Sequence, residues 1–156
     1  MKKSAAIASF VALGACIAPG LSSAASAVSV HRLTAVMTPR QVVTPTNKPA
    51  AFPPALKGAQ GTFTGTTSAD GKTLKRKISY SKLGSPALVI ADIHIGKAGK
   101  FGPILMRVCG PCKPGQSGVT KLKAGYAARL VSSDQWLTLI TEKYPNGVVR
   151  GQIKAG

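Results

Sequence analysis

Ala91-Asp92-Ile93-His94-Ile95-Gly96-Lys97-Ala98-Gly99-Lys100-Phe101-Gly102-Pro103 begins as a strand and ends as a glycine-rich loop. The apolar run starts at Leu88 and continues to Ile95, interrupted only by Asp92 and His94, which is the pattern of a strand buried on most of its surface. Near the C-terminus, Tyr144-Pro145-Asn146-Gly147 supplies a turn and Val148 to Ile153 a closing strand. Upstream, Thr62 to Thr67 is rich in β-formers, Ala69-Asp70-Gly71-Lys72 offers an Asp-Gly turn, and Thr73 to Tyr80 places Leu74, Ile78 and Tyr80 on one face. Arg76 falls on that same face, so either the strand lies at an edge where its head stays wet or the register is different. Further short strands are expected at 104–108, 119–122 and 136–141, with a small helical patch at 124–132. Many short strands divided by glycine and proline turns predict an all-β, antiparallel sandwich with at most one short helix.

The ends of the chain read differently. Lys2 and Lys3, the apolar run Ala5–Ala18, the Pro19-Gly20 break and Ala25-Ser26-Ala27 together have the form of an export signal over residues 1–27. Leu13-Gly14-Ala15-Cys16 offers a second form of processing, in which Cys16 is lipidated and anchors the protein to a membrane; the run is too short to span one. Residues 28–57 carry Pro39, Pro45, Pro49, Pro53 and Pro54 with Phe52 as the one aromatic, and are expected to form an extended, flexible arm. The folded unit is then residues 58–156, a length that leaves little margin for a core.

Charge is the strongest compositional signal. The whole chain carries a formal +17, and its acids are only Asp70, Asp92, Asp134 and Glu142. Lys72, Lys75, Arg76 and Lys77 crowd the first hairpin and Lys97 and Lys100 the glycine-rich loop, making these six the candidates for polyanion binding. Nucleic acid is not expected, because Tyr80, Phe101, Tyr126, Trp136 and Tyr144 fall at core or turn positions and leave little to stack on bases.

The order of several short motifs resembles the CHRD domain, a module repeated in chordin and found singly in many secreted microbial proteins. Gly65 with Ala69-Asp70-Gly71, then Ile78-Ser79-Tyr80-Ser81-Lys82-Leu83, are similar to its opening hairpin, and Ala91-Asp92-Ile93-His94 stands where the family often shows Ala-His-Ile-His. Ile140-Thr141 takes the place of a frequent His-Thr, followed by Pro145-Asn146-Gly147 and by Arg150-Gly151-Gln152-Ile153. Asp92, His94, Gly96, Pro145, Gly147, Arg150, Gly151 and Gln152 are the residues that carry the signature. The resemblance implies an immunoglobulin-like or superoxide-dismutase-like sandwich and no particular reaction.

Chemistry is sparse. With Asp92 and Ile140 at the two positions where histidines are frequent, His94 stands alone, since His31 lies in the arm. A copper or zinc centre needs three or four converging ligands, so His94 is expected to be a hydrogen-bonded strand residue with Asp92 as candidate partner. Cys109-Gly110-Pro111-Cys112 has the spacing of a redox motif, but Lys113-Pro114-Gly115 after it is a poor start for the helix that activates such a thiol, so export favours a structural disulfide. The acids are scattered, no Gly-x-Ser-x-Gly elbow occurs, and the 96–102 loop lacks the Gly-Lys-Ser/Thr ending of a phosphate cradle. No catalytic residue, metal or cofactor is therefore expected. The expected protein is an exported, non-catalytic binding or structural module that engages an anionic polysaccharide, a cell-envelope polymer or a surface protein. The alternative is a thiol-redox or metal-handling protein built on Cys109, Cys112 and His94.

Overall fold

The computed structural model describes residues 29–156. The export signal over residues 1–27 and Cys16 lie outside the described residues. Among the described residues there are nine strands, β1 (Arg32–Met37), β2 (Gln60–Thr67), β3 (Thr73–Ser81), β4 (Val89–Ile95), β5 (Ile104–Cys109), β6 (Gln116–Lys121), β7 (Gln135–Thr141), β8 (Val149–Gln152) and β9 (Lys154–Ala155), and one short α-helix, α1 (Tyr126–Leu130). They form a five-stranded sheet in the order β6-β3-β2-β1-β9 and a four-stranded sheet in the order β5-β4-β7-β8. Every pairing is antiparallel. No helix among the described residues is long and apolar enough to cross a membrane.

Alternation explains the core. Leu33, Ala35 and Met37 on β1, Phe63 on β2, and Leu74 and Ile78 on β3 are buried from the larger sheet. Ala91 and Ile93 on β4, Leu137 and Leu139 on β7, Val149 on β8, and Met106 and Val108 on β5 belong to the same apolar cluster from the smaller one. Successive residues of a strand face opposite ways, so this parity leaves each sheet with an outer face whose composition the core does not dictate.

The arm expected over residues 28–57 is corrected by β1. Arg32–Met37 precedes the first proline of the segment, alternates exposed and buried residues, and pairs along its whole length with β2, from Arg32 opposite Thr66 to Met37 opposite Gly61. It is an interior strand of the larger sheet, with β9 on its other side. The prolines downstream are also placed: Pro39 and Pro54 start short 3-10 turns, and Val42, Val43 and Leu56 are buried. A proline count over thirty residues concealed a six-residue strand with no proline in it.

Neither alternative raised for Arg76 holds: it keeps the register that sets it on the face of Leu74 and Ile78, and β3 is not an edge, because it lies between β2 and β6. Its partners are Gly65 on one side and Gly118 on the other. A Cβ on Gly118 would stand 3.1 Å from Arg76 Nη2, so the bare backbone of β6 gives the guanidinium its room, whereas a Cβ on Gly65 would meet Leu74 and Phe63. Arg76 Nε donates to Thr120 Oγ1 at 3.1 Å, and burial pushes the guanidinium pKa down from its ordinary value.

Candidate functional site

The outer faces of the two sheets carry Asp92, His94, Arg150 and Gln152 on one side and Lys75 and Lys77 on the other. On the smaller sheet the register sets His94 opposite Trp136, Asp92 opposite Thr138, Trp136 opposite Gln152 and Thr138 opposite Arg150. His94, Trp136 and Arg150 thus share one outer surface. The imidazole of His94 stacks on the Trp136 indole, with centroids 4.0 Å apart and planes 9° apart, and the Arg150 guanidinium carbon lies 3.7 Å from the indole ring centre.

The glycine-rich segment Gly96–Pro103 folds over this surface and is fastened to it by its own carbonyls. Arg150 Nη2 donates to the carbonyls of Lys97 at 3.2 Å and Lys100 at 2.7 Å. Gln152 Nε2 donates to the Gly96 carbonyl at 3.2 Å, and His94 Nδ1 lies 2.9 Å from the Gly102 carbonyl oxygen. Phe101 adds an edge contact to His94. Gly102 is required by close approach, since a Cβ there would run into the Ile95 carbonyl. With the segment in place Arg150 is 2% exposed and Trp136 1%.

Electrostatics follow from that burial. His94 is held below the ordinary imidazole pKa chiefly by desolvation; Arg150 adds to the shift, while the Gly102 carbonyl and Asp92 oppose it. With Nδ1 donating to Gly102, Nε2 is buried without a partner, so a second proton has no acceptor there. Burial lowers Arg150 to about 10, which leaves it cationic at neutral pH. Asp92 does not partner His94. Its carboxylate accepts from Arg107 Nε at 3.0 Å, and that pairing raises Arg107 above its ordinary value. Among the described residues, no group of three or more His, Cys, Asp or Glu side chains comes together as a metal would need.

The remaining signature residues serve the frame. Pro145 and Gly147 make the β7–β8 turn, and a Cβ on Gly151 would strike the Val36 carbonyl where β8 passes β1. Cys109 and Cys112 form a disulfide, both buried in the apolar cluster, with Cα atoms 5.4 Å apart. Tyr80 donates its hydroxyl to the Cys112 carbonyl at 2.8 Å, and the chain continues from the pair directly into strand β6 rather than into a helix.

The outer face of the larger sheet is open. One cross-strand row runs Arg32, Thr66, Lys75 and Val119; the next runs Lys154, Thr34, Thr64, Lys77 and Ser117. Lys121 stands opposite Thr73 beyond them. None of the four acids belongs to these rows. The six cations expected to act together are divided: Lys75 and Lys77 lie on this face, Lys72 in the adjoining turn, and Lys97 and Lys100 on the segment covering the other sheet. Arg76 points inward, which corrects its assignment as a surface contact. Arg32, Lys121 and Lys154 were missed, because seeing them as neighbours of Lys75 and Lys77 requires β1 and β9.

A model of the CHRD domain matches residues 33–153, from within β1 to the end of β8. Comparisons with curated proteins and with solved structures gave no match. The matched span takes in nearly all of β1, the strands β2 to β8 and the Arg150-Gly151-Gln152 segment, and the chain belongs to the CHRD domain family.

Proposed function

We propose that this CHRD domain is an exported, non-catalytic binding module that engages polyanions of a cell surface or extracellular matrix through the outer face of its five-stranded sheet. The observation that carries this reading is the set Arg32, Lys75, Lys77, Lys121 and Lys154 on one exposed face, with no acid among its rows. Lysines on neighbouring strands sum their fields over a surface that water screens only partly, which attracts and retains a polymeric anion. Export is supported by the form of residues 1–27 and by the Cys109–Cys112 disulfide, which suits an oxidising compartment. A non-catalytic role agrees with the tasks of the titratable groups: Asp92 is tied to Arg107 and the His94 ring to Gly102.

The test is a titration of the protein against a sulfated polymer at low salt and near 1 M salt, where the screening length falls to about 3 Å. Binding should weaken steeply with salt and with Lys75→Gln combined with Lys77→Gln. Binding that ignores both changes overturns the proposal.

A further inference from the structure

We infer that the polyanion is a polysaccharide chain and that it lies along β2, in a hydroxyl-floored trough between two cationic rims. This inference rests on the polyanion reading and adds to it the class of polymer and its direction. The shape follows from side-chain lengths. Thr62, Thr64 and Thr66 are successive outward residues of β2, and Thr34 stands opposite Thr64 on β1. These short side chains make the floor. The long side chains of Arg32 and Lys154 rise on the β1–β9 side, and those of Lys75 and Lys77 on the β3 side. A shallow depression is lined by Arg32, Thr34, Thr64, Thr66, Lys75 and Lys77, with Gly65 and Arg76 between them. A second, lined by Gln60, Thr62, Ser79 and Ser81 among others, continues along the same strand.

The chemistry of the two depressions separates the polymer classes. The first offers cations beside hydroxyls; the second offers hydroxyls and an amide with no charge. A sugar chain that carries sulfate or carboxylate groups presents both anions and neutral hydroxyls, and each hydroxyl can donate and accept with Thr, Ser or Gln. A lipid surface would favour protruding apolar or aromatic anchors, and the exposed large apolar residues of this face are only Val36 and Val119. From Gln60 to Thr66 the floor spans about 20 Å at the rise of a strand, room for roughly four sugar rings.

The experiment uses the protein with size-defined sulfated oligosaccharides, inorganic polyphosphate of matched charge, and vesicles rich in phosphatidylglycerol. Thr62→Val combined with Thr64→Val removes two hydroxyls, keeps the charge, and suits a strand. Oligosaccharide affinity should rise with length to about four rings and then level off, and the valine variant should weaken it several-fold while polyphosphate binding stays unchanged. Equal losses for both polymers, no effect of the valines, or tighter binding to vesicles than to sugar would overturn the polysaccharide inference. If Lys75→Gln with Lys77→Gln still abolishes salt-sensitive binding in those cases, the broader polyanion reading survives. If that variant also has no effect, both fail.

Discussion

The two outer faces of this sandwich use cations in opposite ways. On the smaller sheet, Arg150 is buried beneath Gly96–Pro103, and its guanidinium is occupied by the Trp136 ring and the carbonyls of Lys97 and Lys100. On the larger sheet, Arg32, Lys75 and Lys77 stand exposed over threonines. The first arrangement is fastening; the second leaves its cations exposed, and it is there that the ligand is proposed to bind. The residues that carry the family signature fall largely on the fastened side, so they report how the domain is held together, whereas the proposed ligand surface lies where the signature is thin.

That contrast can be tested by substitutions whose effects differ in kind. The largest effect on stability is expected for Trp136→Ala, which empties the space between His94 and Arg150; urea unfolding should show a loss of about 3–5 kcal/mol. Retained stability would mean that the covering segment does not depend on this ring. Next comes Arg150→Met, which keeps the stem but strands the Lys97 and Lys100 carbonyls. A loss of about 2–3 kcal/mol is expected, with faster amide exchange confined to the 96–103 segment and its contacts. Replacing Cys109 and Cys112 together by Ala should cost about 2 kcal/mol or less, because the closed loop is short, and should leave the fold intact. Insulin-reducing activity in the parent protein that vanishes in this variant would overturn the structural role.

A smaller effect is expected from acid. The folded His94 pKa lies below its unfolded value near 6.5, so the unfolded chain binds the proton first as pH falls. Stability is therefore full above about pH 6.5 and declines as pH drops through the folded value. His94→Gln should flatten that limb of the profile, and an unchanged limb would assign it to another group. The smallest effect on stability belongs to Lys75→Gln with Lys77→Gln, within about 0.5 kcal/mol, although the same pair should give the largest loss of polymer binding.

Much of the frame was legible in the sequence, for a physical reason. The Leu88–Ile95 run, the Leu74/Ile78 alternation and the Pro-Asn-Gly turn are local signals, and each became the expected element. β1 was hidden because its buried hydrophobic residues, Leu33, Ala35 and Met37, are few and its neighbourhood is proline-rich. The site was less legible because it depends on register. The cross-strand pairing of His94 with Trp136 depends on which residues of β4 and β7 stand opposite, and the room for Arg76 depends on Gly118 of β6. Parity along β7 and β8 placed Trp136 and Thr138 on one face of their strand and Arg150 and Gln152 on one face of theirs, which is the signal that could have joined them.

The difference between the two faces can be read residue by residue by titrating isotope-labelled protein with a sulfated tetrasaccharide and following backbone amide shifts. The shifts should concentrate on Arg32, Thr34, Thr62, Thr64, Thr66, Lys75 and Lys77 and leave Asp92–Pro103, Trp136 and Arg150 unmoved. Shifts concentrated on Gly96–Pro103 and the residues beneath it would contradict the assignment of fastening to one face and binding to the other.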